Sequence, residues 1–167
     1  MKRTIAVLTL SLLTLAAAPL RAGDVQNEIF RLTLPEGYGE FAKQVQTVKS
    51  PEGEIESTNW VSKAPTGEAV IVTMNKLPGK ILDADKLFAS TRESLLKSLN
   101  ATLESEEKLE GALPSTRVNF SGNGVFFRTR FVAQDDHFYQ LLYVGRSAEQ
   151  RSNAAVGQIF DSFNLQQ

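Results

Sequence analysis

From Phe120 to Gly145 the chain reads FSGNGVFFRTRFVAQDDHFYQLLYVG, and side-chain character alternates with a period of two along two consecutive runs. Val125, Phe127, Thr129 and Phe131 fall on one face of the first run, with Phe126, Arg128, Arg130 and Val132 on the other. In the second, Phe138, Gln140, Leu142 and Val144 alternate with Tyr139, Leu141 and Tyr143. This period, dense in aromatic and β-branched residues, predicts two strands. Gln134, Asp135, Asp136 and His137 form a polar break short enough for a hairpin. Large apolar residues on both faces place the hairpin at the centre of a sheet.

The rest of the chain supplies its neighbours. Alternation over 30–34 predicts a first strand, stopped by Pro35 and Gly37. Further strands are predicted over 45–48, 55–61 and 69–74, separated by the turn sequences SPEG at 50–53 and APTG at 64–67. The segment 69–74 is almost wholly apolar, as in a strand covered on both faces. A helix is predicted over 84–99. Asp83 is its N-cap, Asn100 its terminator, and Ala84, Leu87, Phe88, Thr91, Leu95 and Leu99 form its stripe. Residues 102–109 read as an edge strand blunted by charge, and 117–120 as a strand that enters the hairpin through the turn SGNG at 121–124. A last helix begins at Ser147, which has capping-box spacing to Gln150. Its stripe is Ala155, Val156, Ile159, Phe160 and Phe163. Two one-sided helices and a sheet apolar on both faces predict an α+β fold. The expected architecture is an α-β-α sandwich with a largely antiparallel central sheet flanked by helices.

Residues 1–22 have a different character. Lys2 and Arg3 precede an apolar run over 5–18, and Ala22 offers a small residue at the exit. That is the pattern of a secretory signal peptide, and the run falls short of the roughly 20 residues that a membrane span needs. Cleavage is expected after Ala22, which leaves 23–167 as a single domain and no later span; an uncleaved anchor is the alternative. Losing Lys2, Arg3 and Arg21 leaves 15 basic against 19 acidic residues, a net charge of −4. A mildly acidic chain without a basic block is not expected to take nucleic acid or an anionic membrane surface as partner. The chain has no cysteine, which rules out disulfides, thiol nucleophiles and thiolate metal sites.

The run GNGVFFRTRFVAQDDHFYQLLYVGRS, followed by IFDSFNL, resembles the PsbP-like superfamily. That group includes an extrinsic protein of the plant oxygen-evolving complex, a yeast Ran-binding import factor and many small secreted bacterial proteins. The features that match are an Arg-bearing strand, a hairpin with a short polar turn, a Tyr-Gln-Leu strand ending in Gly145, and a helix ending in Asp161, Ser162 and Phe163. The resemblance spans 28–165 and rests on fold-bearing residues. It implies an antiparallel sheet flanked by helices and a role in binding other proteins or supporting assemblies. It carries over no catalytic residue, and neither the Ran-binding nor the photosystem role.

Chemistry-bearing residues are sparse. His137 is the only histidine, set beside Asp135 and Asp136 in the hairpin break, where a solvated turn explains it better than a general base or triad. Neither a nucleophile elbow, nor an EF-hand loop, nor a P-loop occurs. Glu104, Glu106, Glu107 and Glu110 suggest a hard cation, but strand alternation would set Glu107 apart from Glu104 and Glu106. Tyr38, Phe41, Trp60 and Tyr139 are candidate walls of an aromatic pocket, a role that competes with core packing. Two glycosylation sequons, at Asn100 and Asn119, are taken as chance. Arg128 and Arg130 share a face, and Arg117 joins them if its strand is adjacent. The three form the candidate binding patch for an anion or acidic partner, with cross-strand pairing as the competing role. The expectation is therefore a periplasmic or secreted, non-catalytic protein without cofactor that binds an unknown envelope protein. The alternative is a small-ligand or lipid carrier with a cleft between sheet and helix.

Overall fold

The computed structural model describes residues 23–50 and 53–166. The leader reading and the Pro51-Glu52 turn tip lie outside the described residues. Seven strands form one sheet, antiparallel throughout: β3 (Ala42–Ser50), β4 (Gly53–Lys63), β5 (Ala69–Lys76), β6 (Thr102–Leu109), β7 (Ser115–Gly122), β8 (Val125–Gln134) and β9 (His137–Gly145). Their spatial order is β3-β4-β5-β9-β8-β7-β6, so β9 is the central strand and the aromatic hairpin lies at the middle, as its two apolar faces require. A second sheet of three strands joins β1 (Gly23–Gln26), β2 (Phe30–Leu34) and β10 (Asn164–Leu165), with β2 in the middle.

Two apolar cores flank the large sheet. One holds Ile71, Val118, Phe120, Phe127, Phe131 and Phe138 under the helix α1 (Ala84–Ser98). The other holds Trp60, Val72, Tyr139, Leu141 and Tyr143 under β2 and the helix α3 (Ala154–Ser162). The fold is thus a layered α+β sandwich with an antiparallel central sheet, and the three-stranded sheet shares one outer layer with the helices.

Several boundaries differ from the periodicity reading. The predicted last helix is two: α2 (Ala148–Ser152) and α3, separated at Asn153. Asn153 leaves helical geometry (ψ 144°) and its side chain accepts the Ala155 N–H at 2.9 Å, so it caps a new helix rather than continuing the old one. Ser121 and Gly122 belong to β7, and the turn is Asn123-Gly124, both at positive φ (53° and 74°). Gln134 and His137 pair across the next hairpin, which leaves only Asp135 (φ 52°) and Asp136 in its turn. His137 is therefore the first residue of β9. The strands β1 and β10 are too short and polar to show a period.

Candidate functional site

The three predicted arginines do meet. β7 and β8 pair in a register that sets Arg117 opposite Arg130 and Asn119 opposite Arg128. All lie on the face that carries α3. Arg130 donates from Nε to Ser115 Oγ at 3.0 Å and from Nη1 to the carbonyls of Phe160 and Phe163 at 3.4 Å each, and its guanidinium lies 6.0 Å from the Phe163 ring. It is thus a cation at a helix C-terminus, where unpaired carbonyls and the helix dipole favour positive charge. Arg128 donates to Asn119 Oδ1 at 3.2 Å and lies over the Phe160 ring at 5.7 Å. Burial, and then the neighbouring charge of Arg117, lower the proton affinity of Arg128 and Arg130. Arg117 is the most loosely held of the three. Its long contacts reach Glu107 (3.7 Å) and Asp161 (3.6 Å), both exposed, and its buried Nε has no hydrogen-bond partner among the described residues. Arg151 of α2, absent from the sequence reading, extends the row. It pairs with Glu104 at 2.6 Å and sits over Phe126 at 5.5 Å. Helix residues carry no cross-strand signal, so only the tertiary fold could add it.

The acidic strand β6 divides its charges in an unexpected way. A bulge between Leu103 and Ser105 shifts the alternation by one residue at Glu104. Glu104 consequently turns to Arg151 and Glu107 to Arg117, whereas Glu106 turns to Arg92 of α1 on the opposite face. Lys108 meets Asp85 of α1 at 2.7 Å. The Arg151 hydrogen bond holds the Glu104 carboxyl below the usual range. Among the described residues, no three metal-binding side chains converge.

Two clefts open at the margins. A groove of about 630 Å³ lies beside Glu54, Glu56, Lys76 and the loop 77–80, near the β8–β9 turn. Lys80 reaches Asp135 there at 3.4 Å, and His137 Nδ1 lies 2.6 Å from Asp136 Oδ1 while its ring stacks on Tyr139. A smaller cleft of about 360 Å³ lies between the loop 35–38, the turn 64–68 and the α2–α3 junction. Glu68 sits in it, accepting from Tyr143 Oη at 3.3 Å and from the Thr66 hydroxyl. Burial raises the Tyr38 and Tyr143 phenols far above 10, with Glu68 adding to the effect, so both stay neutral donors. Of the four aromatics read as pocket walls, Phe41 and Trp60 pack against Phe30 with ring centres 5.9 and 5.2 Å apart, and Tyr139 is in the same core. Tyr38 alone of the four lines either of these two clefts.

The opposite edge strand, β3, contrasts with β6. It runs for nine residues against β4 without a register break. Lys43, Gln44, Val45, Gln46 and Thr47 are all exposed, Val45 by 60%. Its only charges are Lys43 and Lys49, and Lys43 Nζ lies 5.8 Å from the Trp60 ring centre. Sequence reasoning found the middle of this strand but not its exposure, because residues with no buried face carry no hydrophobic period.

No family model matches the chain, and no curated protein matches it. Among solved structures it is similar to the solution structure of cyanobacterial PsbP (CyanoP) from Synechocystis sp. PCC 6803. The TM-score is 0.58 at 11% sequence identity, over 93% of this chain and 97% of that one. At that identity the likeness is one of fold. The fold is PsbP-like, as the residue pattern around the central hairpin implied. No helix among the described residues is long and apolar enough to cross a membrane.

Proposed function

We propose that this chain is an exported, non-catalytic protein-binding module of the cell envelope, periplasmic or secreted. The observation that carries this reading is the unequal treatment of the two sheet edges. β6 is bulged, charged and tied by ion pairs to α1 and α2. β3 is nine residues long, pairs with β4 without a register break and is exposed over 43–47, with an uncharged middle. An unguarded edge is an association hazard unless something covers it. The space between the large sheet and its helices is filled by aromatic packing, which favours a binding surface over a carrier cleft. Export is supported by the leader-like composition of residues 1–22. The arginine row is a second candidate contact, through the partly exposed side chain of Arg117.

Photo-crosslinking in intact expressing cells tests the reading. A crosslinking residue at Val45 probes one edge of the sheet, and one at Glu107 probes the other edge beside Arg117. The expected result is a discrete protein adduct from an exported chain whose mass begins at Gly23. A chain retained in the cytoplasm, or export without an adduct from either position, would sink the proposal.

A further inference from the structure

Resting on the protein-binding reading, we infer that β3 takes up an extended segment of a partner as one further antiparallel strand, and that the segment is acidic at two positions that match Lys43 and Lys49. Among the described residues, β3 has β4 as its single neighbour in the sheet. In an antiparallel ladder each strand offers its hydrogen-bonding groups alternately to either side, so an outer strand presents a row of unpaired N–H and C=O groups. With no register break, the row on β3 is continuous along its length, as a template for an added strand requires.

The side chains specify the occupant. Lys43, Val45, Thr47 and Lys49 share one face by the period of two. The strand has no carboxylate of its own. A segment seated on it is best matched by an acid opposite each lysine, about 20 Å apart along the strand, with apolar or small residues between. The next strand inward limits the pattern. Glu56 of β4 is opposite Thr47, so an acid at Thr47 would approach a like charge. Glu54 is opposite Lys49 in the register, whereas Lys43 is opposite Trp60 and lies 5.8 Å from its ring centre.

A second copy of the chain fits less well. A two-fold antiparallel pairing centred on Gln46 sets Lys43 against Lys49 twice. One centred on Val45 avoids that clash but leaves all the lysines without a carboxylate on the facing strand. Like charges directly opposite one another weaken strand pairing.

Two synthetic extended peptides test the inference on the full exported chain. In one, Glu, Val, Val and Glu occupy successive same-face positions with threonines between; in the other, lysines replace the glutamates. The expected result is saturable binding of the glutamate peptide, with slowed amide exchange in β3 and none in β6. The lysine peptide should bind roughly tenfold more weakly, since two exposed charge pairs are reversed. Lys43→Glu with Lys49→Glu should invert that preference. Equal binding of the two peptides, no binding, or binding without β3 protection overturns the inference. So does concentration-dependent protection of β3 in the chain alone, which would mark self-pairing. In the cellular crosslinking, adducts from Glu107 but not Val45 would overturn the inference and leave the binding-module reading standing. Adducts from neither would remove both.

Discussion

The arginine row shows how one residue type serves two needs. Arg130 bridges β8 to the C-terminal end of α3 through Ser115 and the carbonyls of Phe160 and Phe163. Removing its guanidinium leaves those acceptors and the Phe163 face unpaired. Arg130→Ala should therefore destabilise the fold by about 1–3 kcal/mol in urea denaturation, with partial recovery in Arg130→Lys. Arg117→Ala, whose ion pairs are long and exposed on the acid side, should cost under about 1 kcal/mol. The buried phenols make a second residue-scale case. Tyr38 and Tyr143 titrate above their ordinary value of 10 in the fold because burial disfavours the phenolate, and Glu68 opposes it further. In the unfolded chain both release protons near pH 10, while the fold holds them. The stability they contribute is complete below roughly pH 10 and falls as the pH rises towards the folded values. Urea midpoints between roughly pH 9 and 11.5 should decline, and the decline should be shallower in Tyr38→Phe with Tyr143→Phe. The pairing of Arg117 with Arg130 was legible because both lie on strands with clear periods. The Tyr143–Glu68 contact was not, since the two residues are 75 positions apart and no local pattern links them.

At the scale of the element, turn and cap chemistry decide where periodic segments stop. Ser147 accepts from the Gln150 N–H at 3.1 Å, and the Gln150 side chain accepts from Arg146 N at 2.7 Å, a variant of the capping box that its spacing predicted. The break at Asn153 was missed because neither glycine nor proline marks it and the apolar stripe, from Ala155 to Phe163, lies wholly beyond it. Only its side-chain bond to Ala155 N shows that it begins α3. Asn153→Ala should cost about 1 kcal/mol, seen as a lower melting temperature with the α3 amides affected most. The bulge at Glu104 was equally invisible, because inserting one residue leaves composition unchanged while turning Glu104 and Glu106 to opposite faces. Gly122 adds a steric constraint at the end of β7. A methyl group there would sit 2.6 Å from Asn100 O and 2.7 Å from Ala101 Cα, both backbone atoms that follow α1. Gly122→Ala should push the 100–101 loop away from β7 and destabilise by about 1–3 kcal/mol in chemical denaturation. Gly111→Ala, with open space around its Cα, is the matched control.

For the whole molecule, the layered fold was readable because a sheet with two apolar faces demands a cover on each. What the sequence did not show is that the two covers differ in strength. On one side α3 buries Val156, Ile159 and Phe160 and is reinforced by β2, which contributes Phe30, Leu32 and Leu34. On the other, α1 has Phe88 as its one fully buried side chain, set 5.9 Å from the Phe131 ring and 6.2 Å from Phe138. Leu87, Leu95, Leu96 and Leu99 pack only partly, and the Arg92–Glu106 and Lys108–Asp85 pairs fasten α1 to the outer strand β6 rather than to the sheet centre. Exposed pairs of this kind contribute little beside a buried aromatic. Local openings should follow that order. In native-state hydrogen exchange, the amides of α1 and β6 should open together, at a lower free energy than those of β5, β9 and α3. Phe88→Ala should cost about 3–5 kcal/mol where the site cannot collapse, and its first effect should be to lower the opening energy of α1 and β6. If α1 instead opens only with β9, both faces form one cooperative unit and the sheet transmits the loss of either cover across its thickness.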